Sequence, residues 1–314
     1  MNSDSVIKTY KPTLFFLLIL ICLISCKQGA IVKHDGEKDR ISFKWVFGIR
    51  YIEVARRLDN GLSFNEYGYQ LEPNWQIKFI PNDSASIYSP KKKQYINFPL
   101  SRGYDSIFVT AGSFFKVKKL TRDSMLLQLV ETNADSIDLR GANVYMTFYS
   151  DKFIKNVLHK DTAAIKAPSK RDTIFIKSLI DSAEKDYQKA FFARQPASVT
   201  SKSSFIKVKP RKVVPDIYNN FQTTDDYMYP TFNITIERVP ADFYYSFSVV
   251  VDSKGKLHYD KPMIPVRDDD IYTLRSKVVM NKYLKRYLKA RPGTTLGLRH
   301  PSNIYFHVEG LSHP

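Results

Sequence analysis

The stretch Phe243-Tyr-Tyr-Ser-Phe-Ser-Val-Val-Val-Asp-Ser-Lys-Gly-Lys-Leu257 decides the fold of the C-terminal part of this chain. From Phe243 to Val251 alternate side chains are apolar, as in a strand that buries one face. Gly255 occupies the fourth position of the turn that starts at Asp252, where a type I turn followed by a bulge needs a positive φ. The stretch therefore predicts a β-hairpin.

A helix and a last strand follow this hairpin. The predicted helix begins after Asp268-Asp269-Asp270, which we interpret as a helix cap rather than a calcium or acid site. Its apolar positions are Ile271, Leu274, Val278, Leu284 and Leu288. Pro292-Gly293 is expected to end it, and Ile304, Phe306 and Val308 predict the last strand. Residues 215–314 are thus predicted to form a small α+β domain.

The N-terminal part of the chain has a different pattern. Between residues 41 and 158, short segments with period-2 alternation, such as Trp75-Gln-Ile-Lys-Phe79, are separated by turns rich in Asn, Asp, Ser and Pro. This predicts an antiparallel β domain, a meander that closes into a barrel or packs on another layer. Tyr51–Leu58, before Asp59-Asn60-Gly61, is predicted as a short helix.

The two predicted domains are joined by a linker, residues 159–214, that contains one amphipathic helix. Within 172–192 the apolar residues recur at i, i+3 and i+4, with Asp172 or Thr173 as the expected cap. The predicted fold class is therefore α+β, with an N-terminal antiparallel β meander or barrel domain, a helical linker and a small C-terminal α+β domain.

The first 25 residues are predicted to be a signal peptide rather than part of the fold. Lys8 and Lys11 precede the apolar run Leu14–Ile24, whose 11 residues are fewer than the roughly 17–25 that a bilayer-spanning helix needs. The run ends in Leu23-Ile24-Ser25-Cys26, which resembles the lipobox of bacterial lipoproteins. That resemblance implies cleavage before Cys26 and a diacylglycerol on its thiol, with residues 26–40 as a tether. An uncleaved signal anchor is the alternative.

The C-terminal quarter resembles the C-terminal domain of TonB-type energy transducers. The similar segments are Phe247–Leu257, Arg291-Pro292-Gly293 and Ile304-Tyr-Phe306. The resemblance implies that an envelope protein binds by strand addition at an exposed sheet edge. The strand expected to form this edge is Asn303, Ile304, Tyr305, Phe306, His307, Val308 and Glu309. Energy transduction itself is not expected, because the predicted signal is cleaved and leaves no membrane-spanning helix.

A second resemblance concerns the N-terminal β domain. Lys119–Leu127 is similar to the recurring strand-turn-strand of lipocalin-type lipoprotein domains. This implies an apolar ligand in the mouth of a barrel. A carrier of a lipid or another small apolar molecule is therefore the alternative to a protein-binding module.

The net charge and the sequence motifs limit the classes of function that the chain could have. The net charge of +17 favours acidic neighbours, and for an exported chain these are anionic lipid, lipopolysaccharide or cell-wall polymer rather than nucleic acid. The six histidines are scattered, and no nucleophile, phosphate-loop or metal-ligand motif occurs, so we predict no catalytic residues, no metal and no cofactor. Lys27-Gln-Gly-Ala30 suggests an outer-membrane site facing the periplasm. We expect a non-enzymatic envelope lipoprotein that binds proteins, and an enzyme acting on cell-wall material remains a third hypothesis.

Overall fold

The structure is a computed structural model that describes residues 40–90, 92–133, 136–138, 143–211, 225–264 and 270–312. From Ile41 onward the chain forms one compact unit. It contains a nine-stranded sheet, a five-stranded sheet, two small strand pairs and several short helices. This composition confirms the predicted α+β class.

The N-terminal half is a closed antiparallel barrel. Its strands are β1 (Tyr51–Leu58), β2 (Gln76–Ile80), β3 (Ser84–Ser89), β4 (Gln94–Arg102), β5 (Ile107–Thr110), β6 (Ser113–Leu120), β7 (Ser124–Asn133), β8 (Ser136–Asp138) and β9 (Val144–Ser150). Strands β1 to β7 follow one another around a ring that β9 completes by pairing with both β7 and β1. β8 pairs only with the end of β7. The predicted meander is confirmed, and closure leaves its eight ring strands without a free edge.

Aromatic side chains fill the interior of the barrel. The alternation in β2 places Ile77 and Phe79 inside, both fully buried, and leaves Lys78 on the outer face. Phe108 of β5 and Phe115 of β6 stack with ring centroids 5.2 Å apart. Such close packing of large rings supplies the apolar burial that stabilises the barrel.

The prediction of a helix at Tyr51–Leu58 is wrong, because this segment is strand β1. Its first four residues are all buried and it pairs with β9 along its whole length. Tyr51 faces the barrel core, whereas Ile52 and Val54 pack outside it against Ile154. A strand covered on both faces loses the period-2 alternation, and therefore the sequence pattern did not indicate a strand.

Three helices follow the barrel. They are α1 (Asp151–Phe153), which continues as a π-helical turn over Ile154–Leu158, α2 (Thr162–Ile165) and α3 (Lys170–Lys185), and a 3-10 turn at Tyr187–Lys189 comes next. α3 confirms the predicted amphipathic helix, but its cap is Ser169 rather than Asp172 or Thr173. The Ser169 hydroxyl accepts the Asp172 N–H and the Asp172 carboxylate accepts the Ser169 N–H. Asp172 is fully buried and also accepts the Ser63 N–H at 2.7 Å.

The segment 159–214, predicted as a linker, also supplies two strands. β10 (Ser198–Ser201) pairs with a later strand, Leu288–Arg291, and β11 (Ile206–Pro210) pairs with Thr231–Glu237. These pairings tie the segment to the C-terminal part of the fold by backbone hydrogen bonds.

The C-terminal part is a five-stranded sheet with a helix on one face. After α4 (Asp225–Met228) come β12 (Thr231–Glu237), β13 (Phe243–Val251), β14 (Leu257–Pro262), α5 (Asp270–Val279), a π-helical turn (Met280–Leu284), α6 (Lys285–Tyr287), β15 (Leu288–Arg291), β16 (Gly293–Thr295), β17 (Leu298–His300) and β18 (Ser302–Leu311). The sheet order is β11-β12-β18-β13-β14, and only the β12–β18 pair is parallel. The helix ends at Tyr287, before the predicted Pro292-Gly293 stop, because β15 pairs with β10.

The hairpin predicted between β13 and β14 is confirmed. Gly255 has φ +81°, and a Cβ there would lie 2.6 Å from the Ala290 carbonyl oxygen. The Asp252 carboxylate accepts the N–H groups of Lys254 and Lys256, which fixes the turn from its first residue.

The helix covers the apolar face of this sheet. Phe247 of β13 and Phe306 of β18 are fully buried, with ring centroids 6.1 Å apart. Met280 and Leu284 belong to the same buried cluster. The alternation of β18 thus buries one face of that strand, as predicted, whereas β13 is buried on both faces from Ser246 to Val251.

The prediction that Asn303–Glu309 forms an exposed sheet edge is wrong. These residues lie in β18, which is the central strand and is hydrogen-bonded to β12 on one side and to β13 on the other. Ile304, Phe306 and Val308 are fully buried. The outer strands of the sheet, within the described residues, are β11 and β14.

Candidate functional site

The predicted site residues are not brought together by the structure. Cys26, the predicted lipidation site, lies outside the described residues, so its lipidation stays a prediction. The backbone of Tyr305–Glu309 is paired on both sides, with β12 and β13, and Asn303 and Ile304 pair with β13, so the segment is not an open edge that could accept an added strand.

The corner where β14 leads toward α5 is the strongest candidate. The Ser246 carbonyl oxygen of β13 accepts the Met263 N–H at 3.0 Å, and the Ser246 N–H donates to the Tyr272 hydroxyl at 2.8 Å. The end of β14 and the first turn of α5 therefore lie side by side. Further along, the hydroxyls of Tyr259 and Ser276 are 2.9 Å apart, which fixes the underside of α5 on β14.

The outer face of α5 carries an exposed apolar row. Ile271, Leu274 and Val278 are 58%, 64% and 52% exposed. Their i, i+3, i+7 spacing places them on one side of the helix. Met263 and Ile264, at the end of β14, are also exposed. We call these five residues the apolar corner.

The sequence did not predict the apolar corner, because α5 has two sets of residues at helical spacing, and either set could have formed the buried face. The more hydrophobic set is Ile271, Leu274 and Val278, and the sequence therefore predicted that these residues are buried. The structure instead buries Ser276 and Val279, and Tyr272 lies on the same side. Tyr272 packs on Tyr245 with ring centroids 5.1 Å apart, and Tyr259 contacts Phe247 at 5.2 Å. A tyrosine can bury its ring while its hydroxyl forms a hydrogen bond, and this property of Tyr272 was the sequence feature that indicated the other side of the helix as the buried one.

Charged residues of both signs lie near the corner in the sequence. From Ile271 to Tyr287 the sequence has five basic residues and no acidic one, whereas Asp268, Asp269 and Asp270 directly precede this stretch. Arg275 and Lys277 are exposed beside the apolar row, and the Lys277 ammonium lies 5.5 Å from the centre of the Tyr259 ring. Burial raises the pKa of both Tyr259 and Tyr272, so their hydroxyls stay protonated at neutral pH.

A second feature is a cavity of about 360 Å³ at one mouth of the barrel. We call residues 41–49, which precede β1 and cover this mouth, the plug segment. Phe43 of the plug segment enters the barrel and stacks on Phe79, with ring centroids 4.0 Å apart and an interplanar angle of 14°. The Gly48 N–H donates to the Phe79 carbonyl at 2.9 Å. The interior beneath Phe43 is filled by side chains, so the cavity is confined to the level of the mouth.

The cavity has an apolar wall and a charged rim. Phe47 and Leu100 line it together with Lys44, Asp83 and Arg102. Asp83 and Arg102 form an ion pair at 3.2 Å, and both remain partly exposed to solvent. The rim therefore keeps one positive charge in excess, which suits an acidic group at the mouth.

A buried charge pair lies on the side of the barrel. The Glu53 carboxylate is fully buried and accepts from the Arg56 guanidinium at 2.7 and 2.9 Å and from the Trp75 N–H at 2.9 Å. Burial raises the pKa of Glu53, whereas Arg56 opposes the shift. Since both carboxylate oxygens have partners, the pair is structural and is not placed to act on a ligand.

A second polar cluster joins the loop after β1 to α4. Arg194 forms an ion pair with Glu72 and lies 4.7 Å from the centre of the Tyr227 ring. The Tyr227 hydroxyl accepts the Gln70 N–H at 3.3 Å, and burial raises the pKa of Tyr227 to about 12. These contacts hold loops in place, and no nucleophile lies among them.

The other face of the C-terminal sheet brings hydroxyls and a histidine together. Nδ1 of His307 lies 2.7 Å from the Ser246 hydroxyl and 3.2 Å from the Tyr244 hydroxyl. His307 is half-buried, and burial together with the charge of Arg211 lowers its pKa. The two hydroxyls satisfy the hydrogen bonding of Nδ1. The arrangement lies on the other face of the sheet and adds no reactive group to the apolar corner.

Among the residues that the structure describes, no group of three or more His, Cys, Asp or Glu side chains could hold a metal ion. In the same part of the chain no helix combines the length and the apolar character needed to cross a bilayer. No protein-family model matches the sequence. The curated proteins likewise contain no match.

Proposed function

We propose that this protein is a non-enzymatic lipoprotein of the bacterial cell envelope that binds another protein through the apolar corner. The observation that carries this proposal is the exposed row of Ile271, Leu274 and Val278 on the outer face of α5. An apolar row at helical spacing that is turned away from its own core is the pattern by which helices bind partners.

The chemistry of the corner supports a partner with an apolar surface. Burying the three side chains requires an apolar surface of matching shape, and the exposed Arg275 and Lys277 beside them favour carboxylates at its rim. The outer edge of β14 adjoins the corner, and no described strand pairs with it. It offers backbone groups to an extended segment, whereas Lys207, Lys209 and Pro210 protect the opposite edge strand, β11. The preferred partner is thus an apolar segment with acidic residues.

The location is proposed from the sequence. The apolar run Leu14–Ile24 and the lipobox-like Leu23-Ile24-Ser25-Cys26 support export and lipidation of Cys26. The two acyl chains of the diacylglycerol would anchor the protein stably, since each buried CH₂ contributes about 0.8 kcal/mol. We place the anchored protein at the outer membrane, facing the periplasm.

A second candidate function, a carrier of a small amphipathic molecule, is favoured by the cavity at the barrel mouth. Its volume of about 360 Å³ falls within the range of small-molecule sites. Because Phe43 closes the barrel beneath it, the ligand would sit at the mouth with an acidic group near Arg102. Native mass spectrometry of the gently purified protein tests this, since a mass released on denaturation would identify a ligand.

Variants of the apolar corner test the leading proposal. The tagged chain, Leu274→Asp and a control, Ile174→Asp, are expressed in the source bacterium and isolated after mild cross-linking. Ile174 is a matched control because it is an exposed apolar residue on another helix, α3. We expect an envelope protein that is recovered with the unchanged chain and with Ile174→Asp but lost with Leu274→Asp. Recovery of the same proteins with all three chains would contradict the proposal.

A further inference from the structure

The plug segment and three turns lie at the same end of the barrel, which we call the plug end. The Gly48 N–H bonds to Phe79 near the turn at residues 81–83, and the Asp83 carbonyl accepts the Leu100 N–H near the turn at 103–106. The Tyr51 hydroxyl at the start of β1 donates to the Thr121 carbonyl of the turn at 121–123. Antiparallel strands return these turns to the end at which the plug segment enters.

Three aromatic side chains are exposed at the plug end. Within the plug segment, Phe43 and Val46 are buried, and Trp45 and Phe47 point outward with 48% and 38% exposure. Tyr104, in the turn after β4, is 46% exposed. Large rings in water are unfavourable, whereas the headgroup layer of a bilayer accommodates Trp and Tyr because it is apolar on one side and wet on the other.

The same end is positively charged. Residues 40–49, 81–83, 102–106 and 118–123 contain six basic and three acidic side chains, a net formal charge of +3. Lys118, Lys119 and Arg122 are exposed, and Lys44 and Arg102 line the cavity at the mouth. Basic side chains around exposed aromatic rings are complementary to the phosphates of anionic lipids.

We propose that the plug end docks on an anionic lipid bilayer, with Trp45 and Phe47 in the headgroup layer. This inference rests on the proposed lipidation of Cys26. Fourteen residues, 27–40, separate that cysteine from the plug segment, and a chain of this length spans at most about 50 Å. The chain enters the barrel at the plug end, so the anchor holds this end within about 50 Å of the bilayer. Docking directs the mouth cavity, with Lys44 and Arg102, toward the lipid phosphates.

The two tryptophans of the chain provide a direct test. Trp75 contacts Phe115 edge-on at 5.4 Å inside the barrel, so Trp75→Phe keeps a ring there and leaves Trp45 as the sole tryptophan. The full mature lipoprotein with this change is reconstituted into vesicles of phosphatidylcholine, with or without phosphatidylglycerol, that contain acyl-chain-brominated lipid. We expect the Trp45 emission to shift to the blue and to be quenched at least twofold, more strongly with phosphatidylglycerol.

A reporter at the opposite end is the matched control. Tyr67 lies in the loop after β1, away from the plug end, and is 60% exposed. A chain with Trp45→Phe, Trp75→Phe and Tyr67→Trp should float with the vesicles and show no quenching. Flotation without quenching of Trp45, or equal quenching of both reporters, would overturn docking while leaving the anchor intact. A mature chain that fails to float would overturn the anchor, and the docking that depends on it.

Discussion

His300 should make the protein lose stability at mildly acid pH. Its imidazole is fully buried and stacks on Phe191 with ring centroids 3.9 Å apart. Nδ1 lies 3.0 Å from the Pro301 carbonyl, which can only accept, so Nδ1 carries the proton. Nε2 then accepts from the Thr295 hydroxyl at 2.9 Å. The Thr295 oxygen also accepts the backbone N–H of Arg194, and its hydroxyl proton points at Nε2. A proton on Nε2 would therefore meet a donor instead of an acceptor.

The size of the effect follows from the pKa of His300, which burial lowers from 6.5 to about 4. The folded state binds the proton more weakly than the unfolded state, so its stability is complete above pH 6.5 and falls as the pH drops toward 4. The full difference of about 2.5 pH units is equivalent to about 3.4 kcal/mol of unfolding free energy. About 2.6 kcal/mol of it should be lost by pH 4.5.

Urea unfolding between pH 8 and pH 4.5 measures this loss. The unchanged protein is compared with His300→Gln, which cannot take up the proton, and with His159→Asn at an exposed helix end. The pKa of Asp151, Asp252 and His307 is also lowered, but these groups contribute equally to all three chains. The curve of His300→Gln should be flatter by about 2.6 kcal/mol, and that of His159→Asn should match the unchanged protein. Parallel curves for all three chains would refute the reasoning, as would a directly titrated His300 pKa near 6.5.

Three further substitutions test the packing. Arg56→Ala leaves the buried Glu53 carboxylate without its cation and should cost about 3–5 kcal/mol at pH 7 in urea unfolding. The loss should shrink at pH 4, because burial raises the pKa of Glu53 and the protonated form needs no cation; an equal loss at both pH values would argue against a charged carboxylate. Phe43→Ala removes the ring that stacks on Phe79 and should lower the free energy of unfolding by about 3–5 kcal/mol. A loss of unfolding free energy below about 1 kcal/mol would mean that the plug segment is not part of the core. Gly310→Ala would place a Cβ 2.3 Å from the Phe243 ring and should cost about 1–3 kcal/mol, and an unchanged melting temperature would show that this ring moves freely.

The local elements of this fold could be predicted because their causes are local. Period-2 alternation in β2 and β13 and the turn at Gly255 depend on side-chain direction and backbone sterics within a few residues. The amphipathic row of α3 has the same origin, although its cap lies three residues earlier than predicted, because Ser169 and Asp172 bind reciprocally. These features gave the α+β class.

The candidate site could not be predicted because it depends on which surfaces meet. Backbone pairing makes similar hydrogen bonds whatever the side chains are, so nothing in Asn303–Glu309 indicates that β12 and β13 enclose it. The apolar spacing in α5 likewise suggested a buried Leu274. The hydroxyl contacts of Tyr259 and Tyr272 instead fix the opposite side of the helix on the sheet, which leaves Leu274 exposed. The sequence by itself determined the strands with clear alternation, such as β2 and β18, the turn at Gly255 and the amphipathic helix α3. Strand order, barrel closure and the exposed side of α5 were decided only by tertiary packing, because they depend on contacts between residues far apart in the chain.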